Sequence, residues 1–177
     1  MKVLKIGLLV AWSMLILACA NPSIVNVKES EAAAITESSK IFIPRFEGNP
    51  NFVEEATDFF VSGLESRFSN TIIQGSVLRD ESTDIHSGGN LAPLATALEF
   101  AKRNSADILI TGKVTSHHTS GMLNGFSTIR VYNVHTGQRI ANFHRPSGLL
   151  IGNSEHQCVI SAVERTVKDV AELFKRI

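Results

Sequence analysis

Hydrophobic residues recur along the chain at two periods, and together they predict most of its elements. Three stretches carry apolar side chains at spacings of three and four, the mark of an amphipathic helix. Phe52, Ala56, Phe59, Phe60, Gly63, Leu64 and Phe68 place one helix from about Pro50 to Ser69, with Asn49 able to cap it and Pro50 suited to its first turn. Leu91, Leu94, Ala95, Leu98 and Ala101 mark a second, ending near Asn104. Val159, Ile160, Val163, Val167, Val170, Leu173 and Phe174 mark a third, from about Glu155 to Arg176. The phenylalanine stripe of the first helix reads as a core face rather than a ligand groove.

Shorter apolar runs predict strands. Lys40-Ile41-Phe42-Ile43-Pro44 is a strand closed by proline, and Thr71 to Leu78 is a second. Ala106 to Val114 is apolar enough at its centre to be buried on both sides. Phe126 to Val134 and Gln138 to His144 alternate around His135-Thr136-Gly137, a three-residue hairpin turn with glycine where positive φ is needed. Arg79–Asn90, Thr115–Gly125 and Ser147–Asn153 read as loops. The resulting order, β-α-β-α-β-β-β-α, predicts an α/β (α+β) domain with a mixed sheet flanked by three helices. No internal repeat is visible.

The start of the chain follows a different rule. Met1 to Lys5 is basic, Ile6 to Leu17 is apolar, and Ala18-Cys19-Ala20 follows. That is the layout of a secretory signal, and an apolar core of about a dozen residues is too short for a spanning helix of ~20. Leu15-Ile16-Leu17-Ala18-Cys19 resembles the bacterial lipoprotein signal, in which the cysteine becomes the lipidated first residue. An ordinary signal peptide with an incidental cysteine is the alternative. The resemblance implies lipidation of Cys19, with residues 1–18 removed. Ala20 in place of aspartate implies the outer membrane, with the domain facing the periplasm. Asn21 to Ser39 has few large apolar residues after Val27, so residues 19–39 read as anchor and tether, with a brief helix near Glu29–Ile35, and residues 40–177 as a single folded domain.

Charge and cysteine content narrow the chemistry. The chain carries 17 basic and 17 acidic residues. Loss of Lys2 and Lys5 leaves a mature charge near −2, with no basic stripe of the kind nucleic-acid binding needs. Beyond Cys19 the only cysteine is Cys158, inside a helical apolar pattern, so a mature intramolecular disulfide is excluded and a buried core thiol is expected. His117-His118 lack metal-pair spacing and would point to opposite faces of a strand; they read as solvated loop residues. Neither Ser87-Gly88-Gly89 nor Pro146-Ser147-Gly148 forms a nucleophile elbow, and Gly121 to Gly125 is not a phosphate loop. Asp80, Glu81 and Asp84 have calcium-type oxygens without the ordered EF-hand pattern. The sequence therefore predicts no catalytic residue, metal or cofactor.

Taken together, Ile41-Phe42-Ile43-Pro44-Arg45-Phe46, Ser105 to Thr115 with its alanine-aspartate and threonine-glycine, Val131 to Ile140 with its threonine-glycine turn, and the closing helix resemble the CsgG-like lipoprotein superfamily over Lys40 to Phe174. The resemblance implies the CsgG-like, anticodon-binding-domain-like arrangement and service in a secretion, surface-organelle or cell-wall machine. Channel members of that group insert long β-hairpins. Thr115–Gly125 and Arg79–Asn90 are too short and polar for that, so no transmembrane barrel is expected. The expected function is a non-enzymatic assembly, scaffold or activator component, bound to the membrane through Cys19 and to envelope proteins or further copies of itself. The three loops are the expected contact regions. The alternative is a periplasmic module for a small ligand or peptidoglycan fragment.

Overall fold

The computed structural model describes residues 24–33, 35–75, 94–119, 122–148 and 154–176. Within these residues seven strands form one mixed sheet: β1 (Ile24–Val27), β2 (Ile41–Ile43), β3 (Glu47–Gly48), β4 (Ile72–Gln74), β5 (Ile108–Thr119), β6 (Met122–Asn133) and β7 (Arg139–Pro146). Among the described residues four helices accompany them: the one-turn α1 (Glu29–Ala32), α2 (Pro50–Glu65), α3 (Leu94–Arg103) and α4 (Glu155–Lys175). Across the sheet the order is β1-β7-β6-β5-β2-β4, with β3 pairing further along β5. β2 runs parallel to β4 and β5, whereas β5, β6, β7 and β1 form an antiparallel meander.

The topology dictates which face each helix takes. From β2 the chain crosses through α2 to β4 on one side, then returns through α3 to β5 on the other. Right-handed crossovers that step in opposite directions must place their helices on opposite faces. Accordingly α2 joins α4 over Ile41, Ile43, Ile108, Ile110, Val131 and Phe143, while α3 packs Ala97 and Ala101 on Phe42, Leu109 and Tyr132. The first set forms the main core, with Phe60 and Leu64 of α2 and Val163, Val167 and Val170 of α4 fully buried. Polar groups inside it are paired. Thr57 Oγ1 donates to the Val53 carbonyl at 2.6 Å and accepts the Phe46 N–H at 3.1 Å, and Ser127 and Thr166 share a 3.1 Å hydroxyl bond.

Local signals match the helix ends. Asn49 Oδ1 accepts the Asn51 N–H at 3.0 Å, and Pro50 opens α2. Ser154 and Gln157 form a reciprocal capping box at the start of α4. Gly137 closes the β6–β7 turn at φ 69°, as the turn residues require.

Three expectations are corrected. The tether does not extend to Ser39: β1 pairs residue for residue with β7, Ala32 is buried, and Ile35 is 2% exposed. A four-residue edge strand takes its stability from the ladder it joins, so its own sequence gives little sign of it. Thr115–Gly125 is not a loop but the outer part of the β5–β6 hairpin, with His117 opposite Asn124 and Thr119 opposite Met122. There the strands run past most of the covering helices, so the alternation that would announce them is missing. β3 is an additional short strand after Pro44 interrupts pairing along β5.

Candidate functional site

Several residues and loops singled out in the sequence lie outside the described residues: Cys19, the Arg79–Asn90 loop with Asp80, Glu81 and Asp84, and most of Ser147–Asn153. Cys158 is a free, buried thiol, 1% exposed, as its helical pattern predicts. His117 is an exposed strand residue rather than a loop residue, and His118, next to it, is also exposed. Among the described residues no cluster of histidine, cysteine and carboxylate side chains could hold a metal ion. No described helix is long and apolar enough to cross a membrane.

A groove of about 580 Å³ lies between β1, α1 and the C-terminal end of α4. Val27, Ala32, Ala33, Phe143 and Leu173 supply its apolar lining, and Glu29, Arg145, Asp169, Glu172 and Arg176 its charges. Arg145 grips Asp169 through two bonds, Nε to Oδ2 at 2.5 Å and Nη2 to Oδ1 at 2.6 Å, with both side chains mostly buried. The Asp169 carboxylate hydrogen-bonded to it raises the Arg145 pKa above its ordinary value, against a smaller opposing effect of burial. This fork ties β7 to α4 and leaves the groove's strongest charges satisfied. Nothing in the sequence marked the groove, because its walls come from three segments far apart in the chain.

A second feature is the sheet face opposite α2 and α4. Among the described residues α3 covers its Phe42, Leu109 and Tyr132 end. Beyond that, alternation and register bring Thr111, Lys113, Thr115 and His117 of β5 beside Asn124, Phe126, Thr128 and Arg130 of β6. Asn142, His144 and Pro146 of β7 complete it. His117, Phe126 and His144 form an aromatic row across three strands, with ring centroids 5.7 Å apart at each step and the Phe126 and His144 planes within 11°. Thr128 Oγ1 holds His144 Nδ1 at 2.8 Å. Lys113 and Arg130 form no ion pair among the described residues.

A third, smaller cluster is structural. Asp107 Oδ2 accepts the Lys40 N–H at 2.9 Å, and Oδ1 lies 3.1 Å from His135 Nε2. The Lys40 N–H in particular, with His135, holds the Asp107 pKa below its ordinary value. A carboxylate with a depressed folded-state pKa stabilises above its unfolded value, and the contribution is lost as pH falls through the folded value. The stability gap between wild type and Asp107→Asn should therefore be present at pH 7 and shrink below about pH 4. Urea denaturation at both pH values measures it; a gap independent of pH would contradict this role.

No protein-family model matches the chain, and no curated protein matches it in sequence. Solved structures do match. A variant PelC dodecamer from Paraburkholderia phytofirmans superposes with a TM-score of 0.57 at 12% identity, over 86% of this chain and 98% of that one. A second PelC dodecamer structure from the same organism gives 0.54 at 16% identity, over 86% and 97%. The hypothetical protein CT253 from Chlamydia trachomatis gives 0.51 at 10% identity, over 79% and 100%. This chain shares their fold. At such identities the likeness extends to the fold and no further.

Proposed function

We propose that this chain is a lipid-anchored, non-enzymatic component of a bacterial envelope assembly. It is held at the outer membrane through Cys19 and forms a closed oligomer of its own copies, onto which envelope partners dock. The observation that carries the self-assembly is the superposition on a PelC protomer across 98% of that chain, because the protein so matched is a dodecamer. The CsgG-like motifs and the signal-like segment ending at Cys19 support the envelope setting.

The early start of the sheet sharpens the reading. Only four residues separate Cys19 from Ile24, the first residue of β1. Extended chain covers at most about 3.6 Å per residue, so lipid on Cys19 would hold the β1 edge within roughly 18 Å of the membrane surface. The domain is then a membrane-hugging body instead of a body on a long leash.

Cys19→Ser tests the anchor. Wild type should fractionate with membranes and carry an acylated N-terminal cysteine by mass spectrometry, and the variant should become soluble. A wild-type protein whose N-terminus is unmodified would overturn the anchoring.

The groove beside β1 favours one second reading, a small-ligand module. Its volume falls in the range of about 300–1,000 Å³ usual for ligand sites. Saturable binding of a peptidoglycan fragment that Phe143→Ala abolishes, by a protein that is a monomer, would put this reading first.

A further inference from the structure

Two surfaces on opposite sides of this domain carry opposite charge. The first is the outer side of α2. Its sequence holds Glu54, Glu55, Asp58 and Glu65 and no lysine or arginine, and all four acids are exposed; Arg45 pairs with Glu54 at 3.4 Å and His156 with Glu55 at 2.7 Å, which leaves the surface acidic in balance. Phe59 stands among them, 39% exposed, although large aromatic side chains usually bury. The second is the sheet face that α3 alone covers at one end among the described residues, where Lys113 and Arg130 flank the His117–Phe126–His144 row. Glu47 stands beside Lys113 on this face in the β3–β5 register and offsets part of its charge, although the two lie beyond ion-pair distance. α2 lies on one face of the sheet and the Lys113–Arg130 surface on the other, so they point away from each other.

We infer that the acidic, Phe59-bearing side of α2 in one copy docks on the Lys113–Arg130–Phe126 sheet face of the next. The inference rests on the self-assembly proposed above and supplies its interface. A twofold contact requires one self-complementary patch, whereas two unlike patches on opposite sides make a head-to-tail contact that closes into a ring or runs on as a filament. A large ring needs its two contact surfaces nearly opposed: a cyclic twelve-membered ring turns by roughly 30° per subunit. The opposed faces of this sheet supply that arrangement. Phe59 is the apolar anchor, the aromatic row offers the surface that receives it, and the charges fix register and exclude the wrong face.

The test uses full-length lipidated protein extracted in mild detergent, with assembly size read by native mass spectrometry across a dilution series. Lys113→Glu with Arg130→Glu should raise the dissociation midpoint by about tenfold or more, as should Glu54→Lys with Asp58→Lys. All four changes in one chain exchange the charges and should restore assembly. Loss in each pair and recovery in the combination support the interface. A wild type that assembles while either reversal leaves its size and midpoint unchanged overturns this interface and leaves the self-assembly standing. The same holds if the reversal abolishes binding to a soluble polyanion while assembly persists. A monomeric wild type overturns the self-assembly and the interface together. Should a reversal lower the melting temperature, Lys113→Gln with Arg130→Gln provides the decisive readout: weaker assembly at unchanged melting supports the interface, and unchanged assembly overturns it.

Discussion

Phe60→Ala will cost about 4 kcal/mol of folding stability, in the range found for emptying a buried aromatic site. For a domain of this size that lowers the melting temperature by roughly 8–16 °C. Phe60 is 0% exposed and meets Phe46 edge-on, with centroids 5.1 Å apart and planes at 60°. Its ring lies where α2 meets the core strands, and Phe46 is itself tied to α2 through Thr57. Truncation removes the ring and leaves a cavity that neither the helix nor the sheet can easily collapse into. The adjacent Phe59 is the control: it is 39% exposed, and Phe59→Ala should change stability by no more than about 0.5 kcal/mol. The two variants also separate folding from assembly. Phe59→Ala should melt like wild type yet associate more weakly, whereas Phe60→Ala should lose both together. Thermal melts beside native mass measurements decide it. A Phe60→Ala protein that melts within 2 °C of wild type (about 1 kcal/mol or less) would contradict the core described above.

Gly125→Ala is the second large effect. A Cβ at this position would stand 2.4 Å from the carbonyl carbon and oxygen of Cys158 and 2.6 Å from the Val159 nitrogen. These are backbone atoms of α4, so no rotamer change relieves the clash. The helix must lift from β6, and with it the contacts of Val159, Ala162 and Val163. Overpacking of this kind costs about 3 kcal/mol. Gly137→Ala offers a contrast. There the nearest atom, Leu98 Cδ1, is 3.7 Å away, and the penalty comes from the positive φ alone, about 1 kcal/mol. Equal losses at both positions would show that α4 does not seat against Gly125.

The parts of the fold legible in the sequence are those whose burial is one-sided. α2 and α4 present periodic apolar faces to a single core, and their boundaries follow from Asn49-Pro50 and from Ser154 with Gln157. The β6–β7 turn was legible because Gly137 needs positive φ. What stayed hidden depends on partners remote in sequence. β1 is four residues long and exists through its pairing with β7. The distal β5–β6 hairpin carries polar side chains on both faces, His117 and Asn124 on one and Ser116 and His118 on the other, beyond most of what the helices cover.

The candidate surfaces divide in the same way. The acidic side of α2 is contiguous in sequence and could be read there as the residues off the apolar face. The Lys113–Arg130 surface could not, because it is assembled from alternate residues of three strands whose pairing register the sequence does not give, and His117 and Asn124 fall in a stretch that reads as loop. The groove at Arg145 and Asp169 joins β1, α1, β7 and α4 across most of the chain.

The proposed working form is a closed oligomer held at the membrane. The native mass of the lipidated wild-type protein, gently extracted from outer membranes with whatever remains bound, tests it most directly. One discrete species is expected, whose mass, after subtraction of any bound partner, is a fixed multiple of the acylated chain. A clean monomer without a bound partner at the same concentration would contradict it.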